Sequence, residues 1–166
     1  MPKTAPKLIA AACLAVLAVS ATVLYSHCQI PCGIYGDNAR FDMIAENITT
    51  IEKSMNQINE LSAQKNHSPN QIVRWVQNKE KHADDTARII TYYFMAQRLK
   101  PVAKDASAAH KAYIRKLTLL HEMLVGCMKA KQTTDLAHVK KLRGLLAEFK
   151  TAYSSSETQT SKFLHP

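Results

Sequence analysis

Apolar residues recur three and four positions apart along most of this 166-residue chain, and that spacing constrains its fold more than any other feature. The pattern is clearest in one segment, where it is kept by Phe41, Ile44, Ile48, Ile51, Met55 and Ile58. Residues so spaced share one face of a helix, and that face needs a second apolar surface to cover it. The whole chain contains 4 glycines, few enough to leave long helices uninterrupted. The sequence therefore predicts an all-α domain.

Capping and turn residues divide this domain into four predicted helices. The expected starting points are Asp37 or Asn38, Ser68-Pro69, a residue near Asp105, and Thr134-Asp135. The second helix is expected to stop at Lys100-Pro101, because proline disfavours helical backbone in the residue before it. Short connections make consecutive helices antiparallel, so we predict an up-down-up-down four-helix bundle over residues 36–153. Residues 154–166 are rich in serine and threonine and are predicted to form a disordered tail.

The second, third and fourth predicted helices each have an apolar face of their own. The faces comprise Val73, Val76, Ala83, Ala87, Ile90 and Phe94, then Tyr113, Leu117, Leu120, Leu124 and Cys127, then Leu136, Val139, Leu146 and Phe149. Because Cys127 lies on such a face, we expect it to be a buried core thiol.

The first 26 residues differ from the rest in composition. Lys3 and Lys7 precede an apolar run from Leu8 to Leu24, and no acidic residue occurs before Asp37. A short positive segment followed by an apolar one is the layout of a secretory signal peptide. We therefore expect residues 1–26 to be removed by a leader peptidase and the protein to be exported, to the periplasm or the extracellular space. A retained membrane anchor is the alternative, although the run is somewhat short for a span of about 20 residues.

The sequence leaves the cleavage site open. Val19-Ser20-Ala21 is the better match to the small-x-small pattern of signal peptidases, and a cut there would leave residues 22–26 ahead of His27. Ser26 is also small enough to precede a cut. Either the peptidase cuts after Ser26, or a second protease trims the remnant.

Charge narrows the possible partners of the mature chain. Without the two leader lysines, 20 basic residues remain against 13 acidic ones, which gives a formal charge of +7. The basic residues are scattered among acidic ones and lack the aromatic interleaving typical of single-strand nucleic-acid binders. We therefore expect no nucleic-acid partner and, after cleavage, no stable membrane association. A positive surface can also steer a small anion towards a site.

The leader is followed at once by His27-Cys28-Gln29-Ile30-Pro31-Cys32-Gly33-Ile34-Tyr35. If His27 is the mature N-terminus, it carries a free α-amine and an imidazole, with two thiols close behind. Three cysteines remain in the mature chain, and an odd number argues against a complete disulfide framework. A Cys28–Cys32 disulfide, with Cys127 left over, is the alternative in an oxidising compartment.

This nonapeptide resembles the nickel-binding hook of nickel-containing superoxide dismutases, whose mature chains begin His-Cys-x-x-Pro-Cys-Gly-x-Tyr. Every fixed position is present in residues 27–35. The resemblance implies an enzyme that converts superoxide to hydrogen peroxide and dioxygen by cycling one nickel ion per subunit between Ni(II) and Ni(III). It implies ligands from His27, Cys28 and Cys32, with the Cys28 amide nitrogen included, and a position for Tyr35 at the mouth of the site. Thiolate and deprotonated amide donate electrons strongly and suit square-planar divalent nickel.

The resemblance extends over residues 27–153 and implies further features. Family members hold the axial imidazole with a carboxylate and a basic residue, as a metal-bound histidine generally requires. Asp42 is the nearest carboxylate, shifted by about a residue from the family spacing, and Lys81 or His82 could supply the basic group. The family also implies a homo-oligomer, a hexamer.

Two functions of other classes stay open at the level of sequence. The protein could be an exported nickel or copper storage or delivery protein that binds metal without turnover. It could also be an interaction bundle held by a Cys28–Cys32 disulfide. The mature N-terminus and the metal content would separate these from the enzyme.

Overall fold

The computed structural model of the chain describes residues 36–66 and 68–161, without the side chains of Ser107 and residues 155–161. This part of the chain contains four helices and no strand: α1 (Asp37–Ala63), α2 (Pro69–Arg88), α3 (Ser107–Gln132) and α4 (Leu136–Ser161). The helix α2 continues directly into a π-helical segment, π1 (Ile89–Arg98). The predicted all-α class is confirmed. None of the helices in these ranges is long and apolar enough to cross a membrane.

The first helix begins at Asp37, one of the two predicted starting residues, but neither Asp37 nor Asn38 is its N-cap. Gly36 precedes the helix with φ 67° and ψ 142°, a backbone conformation that residues with a Cβ rarely adopt. Asp37 is the first helical residue, and no side chain caps this end of α1. The predicted N-cap was therefore wrong, because the Asp37 carboxylate binds partners on other helices instead.

The second helix begins as predicted and ends differently. Ser68 precedes α2 and Pro69 occupies its first turn. From residue 89 the backbone changes to π-helical hydrogen bonding, and the segment closes with the Leu99 amide donating to the Phe94 carbonyl at 2.8 Å. The helix therefore stops at Arg98, before the predicted Lys100. Val73, predicted to lie in the core, is 53% exposed.

The last two helices agree with the predicted order. The third begins at Ser107, close to the predicted Asp105. Asp135 caps the fourth, because its Oδ1 accepts a hydrogen bond from the Ala137 amide at 2.9 Å. This helix continues to Ser161, past residue 153, where the predicted bundle ends. Leu136, at the start of α4, is exposed and does not contribute to the core as expected.

The core lies where the helices meet: α1 packs against α2 and α4, and α3 packs against the same two helices. Ten residues of the predicted faces are fully buried in it: Ile44, Ile48, Ile51, Met55, Ala83, Ile90, Phe94, Leu120, Val139 and Phe149. Cys127 is buried as predicted. An aromatic cluster occupies one end of this core, with ring centroids of Phe41, Phe94, Phe149 and Tyr153 between 4.9 and 5.7 Å apart.

Polar side chains link the helices within this core. The buried Lys79 ammonium donates to the backbone carbonyls of Lys131 at 2.6 Å and Thr133 at 3.1 Å, where the end of α3 leaves carbonyls without helical partners. The Asn78 amide donates to the Ser54 hydroxyl at 3.0 Å and so joins α2 to α1. These contacts fix the second helix against the first and the third.

Candidate metal centre

The predicted nickel ligands His27, Cys28 and Cys32 and the predicted gate Tyr35 lie outside the described residues. Within residues 36–66 and 68–161, no three histidine, cysteine, aspartate or glutamate side chains come together in a way that could hold a metal ion. What the structure defines is the place where the chain enters the helical domain, two residues after Tyr35.

A carboxylate at that place is the most heavily bonded polar side chain near the start of α1. The Oδ1 of Asp37 accepts hydrogen bonds from the Tyr93 hydroxyl at 2.5 Å and from the Arg98 Nε at 2.8 Å. Its Oδ2 accepts one from the Tyr153 hydroxyl at 2.7 Å. We call Asp37, Tyr93, Arg98 and Tyr153 the Asp37 cluster. The cluster ties the first turn of α1 to both π1 and α4.

The electrostatics of the Asp37 cluster favour the charged carboxylate. Burial alone would raise the pKa of Asp37, but hydrogen bonds from Tyr93, Tyr153 and Arg98 outweigh it and hold that pKa below its ordinary value. Burial raises the pKa of the Tyr93 hydroxyl, and the adjacent Asp37 carboxylate raises it further. The cluster is thus an ionised carboxylate between neutral phenols and a guanidinium.

The π-helical segment is what brings two members of the cluster together. Tyr93 and Arg98 are five residues apart, and in a regular α-helix they would point about 140° apart around the axis. In π1 the Arg98 Nε lies 3.3 Å from the Tyr93 hydroxyl, and the guanidinium lies 5.1 Å from the centre of the Tyr93 ring. Such π-helical turns frequently occur at functional sites. Sequence reasoning missed this cluster, since an aspartate at a helix start also fits the role of a cap.

Three basic side chains surround the same end of the domain. The guanidinium groups of Arg40 and Arg98 lie 5.4 and 5.1 Å from the centre of the Tyr93 ring. The Lys150 ammonium lies 5.6 Å from the centre of the Phe41 ring. Asp37 lies among these cations, and Asp42 lines the same cavity as Phe41 and Lys150.

The predicted supporting residues of the histidine ligand are spread over two helices. Asp42 is exposed on α1. Lys81 is exposed on α2 and pairs with Asp85 at 2.5 Å. The His82 ring is half-buried, and its Nδ1 lies 2.7 Å from the Asn47 Oδ1 on α1. No hydrogen bond or ion pair joins Asp42 to either of the other two within the described part of the chain. Their role towards His27 stays a prediction, because His27 lies outside that part.

The buried cysteine has a thiol that burial keeps in its neutral form. Burial, with a further contribution from Asp84, raises the pKa of the Cys127 thiol to about 12. A metal ligand must be a thiolate, and this group stays protonated.

A family model described as nickel-containing superoxide dismutase matches residues 18–157. The chain belongs to this family. The match includes the whole of residues 27–35 and almost all of the helical domain, so both parts of a nickel superoxide dismutase are present in the sequence. The protein is a superoxide dismutase and its cofactor is nickel. Comparisons with curated proteins and with solved structures gave no match.

The donor set of this nickel superoxide dismutase suits the metal. Two thiols and one imidazole occur within the six residues 27–32. Thiolates select soft metal ions, and strong-field nitrogen and sulfur donors suit divalent nickel. The helical domain contains no competing cluster among its described residues. His27, Cys28 and Cys32 stay the predicted ligands.

Proposed function

We propose that the mature enzyme begins at His27 and disproportionates superoxide at a nickel ion held by residues 27–35. One observation carries this proposal: a family match over residues 18–157 that contains every fixed position of the nickel hook. In the overall reaction, two superoxide ions and two protons give one hydrogen peroxide and one dioxygen. When bound, nickel would supply one-electron redox chemistry between Ni(II) and Ni(III).

The residues of the hook have distinct roles in this proposal. His27 offers its α-amine and its imidazole, Cys28 its amide nitrogen and thiolate, and Cys32 a second thiolate. An α-amine has an ordinary pKa of about 7.7–8.0 and a thiol one of about 8.5. All of these groups must lose protons to bind, so nickel affinity should rise with pH. Tyr35 stands at the mouth of the site and orders the anion and the water that approach.

We further propose that the helices form an antiparallel up-down-up-down bundle. Short connections between consecutive helices support that arrangement: α1 and α2 are separated by residues 64–68, and α3 and α4 by residues 133–135. Asp42 and either Lys81 or His82 would hold the imidazole of His27. Of these, His82 already contacts α1 through Asn47.

Export and assembly complete the proposal. The leader of residues 1–26 is removed by a leader peptidase, and the enzyme acts in the periplasm or the extracellular space. It assembles as a homo-oligomer, a hexamer. Packing of each hook against neighbouring subunits would protect the thiolates from the peroxide that the reaction produces, since exposed thiolates are readily oxidised.

The test combines three measurements on the purified exported protein. N-terminal sequencing should find His27, metal analysis should find one nickel ion per chain, and stopped-flow kinetics should show catalysed loss of superoxide. Nickel or copper binding without superoxide loss would favour storage or delivery, and a Cys28–Cys32 disulfide without metal would favour the interaction bundle. Full activity in a chain that starts at Thr22 would contradict the ligand set, because the His27 nitrogen would then be an amide.

A further inference from the structure

We propose that Asp37 is a positioning residue, whose carboxylate fixes the joint through which the nickel hook leaves the helical domain. The inference rests on the proposed function, because it takes residues 27–35 as the metal site. It adds a residue of the helical domain to the machinery of the reaction. Asp37 is five residues after Cys32 and two after Tyr35 in the sequence.

Three anchors from other elements hold the Asp37 carboxylate. Its donors lie 56, 61 and 116 residues away in sequence, two of them on π1 and one on α4. The Tyr93 and Tyr153 rings are 1% and 8% exposed, and both contact the aromatic cluster. The hydroxyl groups therefore cannot follow a shift of Asp37 without disturbing packed rings. Close-packed protein interiors resist such displacement.

The residue before Asp37 sets the direction in which the chain leaves. Gly36 has φ 67° and ψ 142°, in a region that is costly for any residue with a Cβ. Among the described residues, and apart from the chain neighbours of Gly36, no atom lies within 4 Å of the place where a Cβ would stand, so packing of these residues does not account for the glycine. The glycine serves the backbone turn itself. A turn fixed at Gly36 and a carboxylate fixed at Asp37 together define how the hook begins.

Position matters in such a site because the reacting groups must meet at short range. A displacement of about 1 Å, caused by a change far from the chemistry, can lower a rate by about a hundredfold. A loose joint at Asp37 would move Tyr35 and the metal ligands together relative to the helices. The expected consequence is a changed metal environment as well as a slower reaction.

The chain offers a matched control for this role. Glu52 also lies on α1 and also joins α4, through an ion pair with the Arg143 guanidinium. It lies 15 residues further along the helix, and its side chain is more exposed than that of Asp37. Asp37→Asn and Glu52→Gln thus each neutralise a carboxylate between the same two helices. Tyr153→Phe is a milder variant, which removes one hydrogen bond and keeps the buried ring.

The experiment compares the nickel-loaded full mature proteins of these three variants with the wild type. Helical circular dichroism checks folding, and calorimetric titration of the metal-free proteins with nickel measures affinity. The thiolate-to-nickel absorption and the electron paramagnetic resonance spectrum of the oxidised form report the metal environment. Stopped-flow kinetics gives kcat/KM. All measurements are made well below the melting temperature of each variant.

For Asp37→Asn we expect a shifted resonance spectrum, and a kcat/KM about tenfold or more below that of the wild type. Tyr153→Phe should shift the same spectrum in the same direction and lower kcat/KM about two- to threefold. Glu52→Gln should match the wild type in every measurement. If Asp37→Asn and Tyr153→Phe fold, keep the wild-type spectrum and keep the wild-type kcat/KM, the positioning role is wrong. A wild type that binds no nickel would instead contradict the proposed function.

Discussion

The Tyr153 hydroxyl donates a hydrogen bond of 2.7 Å to the Asp37 carboxylate across 116 residues of sequence. This contact joins the first turn of α1 to α4. It also places an ionised carboxylate among partially buried groups, where its charge state is coupled to the stability of the fold. The effect of this hydrogen bond on stability can be measured on the intact chain without metal.

The first prediction concerns the pH dependence of stability. The pKa of Asp37 is lowered in the folded protein by its three hydrogen bonds, against the opposing effect of burial. A lowered carboxyl pKa stabilises the fold at pH values above the unfolded pKa, near 3.9, and this contribution is lost as the pH falls through the folded pKa. Asp37→Asn should therefore lower the free energy of unfolding by about 2 kcal/mol at pH 7. The difference from the wild type should shrink below about pH 4.

Urea unfolding of both proteins between pH 3 and pH 7 would check this, with Glu52→Gln as the control for a more exposed ion pair. An exposed pair contributes between about 0 and 1 kcal/mol. If the free energy of unfolding of Asp37→Asn stays below that of the wild type by a constant amount down to pH 3, the wild-type carboxylate stabilises the fold by its shape and not by its charge.

The second prediction separates the cysteines. Cys28→Ser and Cys32→Ser should each abolish nickel binding and dismutase activity while the helical circular dichroism stays unchanged. The apolar faces hold the fold, and the two thiols precede the described helices. Loss of helical signal in both variants would indicate that the segment is a structural staple.

Cys127→Ser is the matched control for those variants. The Cys127 thiol is 2% exposed, and burial raises its pKa to about 12. The Cys127→Ser variant should therefore keep its nickel and its activity. Its buried serine hydroxyl should lower the free energy of unfolding by about 1–3 kcal/mol. Loss of nickel in Cys127→Ser at a temperature where it is folded would contradict the assignment of this thiol to the core.

The third prediction compares two helical glycines. A Cβ at Gly126 would lie 2.7 Å from the Leu142 Cδ2, where α3 approaches α4. Leu142 is fully buried and has little room to move. A Cβ at Gly144 would meet no atom within 4 Å. Gly144→Ala should stabilise the protein by about 0.5–1 kcal/mol, because alanine favours a helix.

Gly126→Ala should gain the same stability from helix propensity. Overpacking against Leu142 should cancel this gain, because it costs about 1–3 kcal/mol in a well-packed core. The two variants should thus differ by at least about 1 kcal/mol in thermal or urea unfolding. Equal stabilities would mean that α3 and α4 separate at little cost at this point.

The fold could be predicted from the sequence wherever a local residue pattern fits only one kind of structure. The face of α1 from Phe41 to Met55 is fully or almost fully buried, and Asp135 caps α4 as expected. The errors occur where two structures share a pattern. Ile90 and Phe94 are four residues apart and fit an α-helix as well as the π-helical turn that contains them. Val73 and Leu136 continue apolar faces beyond the point where another helix covers them.

The candidate site likewise has a part that the sequence predicts and a part that it does not. The hook could be recognised from the sequence because its fixed positions lie within nine consecutive residues. The ligand roles of these residues stay predictions. The Asp37 cluster was not readable, since its donors come from π1 and α4, up to 116 residues away. Asp42, Lys81 and His82 depend on the same kind of distant contact, and a spacing along the chain cannot supply it.

The last prediction concerns the approach of superoxide, which carries one negative charge. Lys150 is exposed on α4 and lies over the Phe41 ring, one turn before Tyr153 of the Asp37 cluster. If the hook begins at that end of the domain, Lys150 contributes to the positive potential that draws in the anion. Lys150→Glu should lower kcat/KM about two- to fivefold at low ionic strength and flatten the fall in rate with added salt.

Lys53→Glu makes the same change of charge on an exposed residue of α1, about 24 Å further along that helix from Asp37. At 0.1 M salt the Debye length is about 10 Å, so a charge at that distance is largely screened. The Lys53 variant should therefore keep the wild-type rate and salt dependence at 0.1 M salt, while the Lys150 variant still differs from the wild type. Equal effects of the two substitutions would show that net charge alone governs the rate, and that superoxide does not approach past the Asp37 end of the domain.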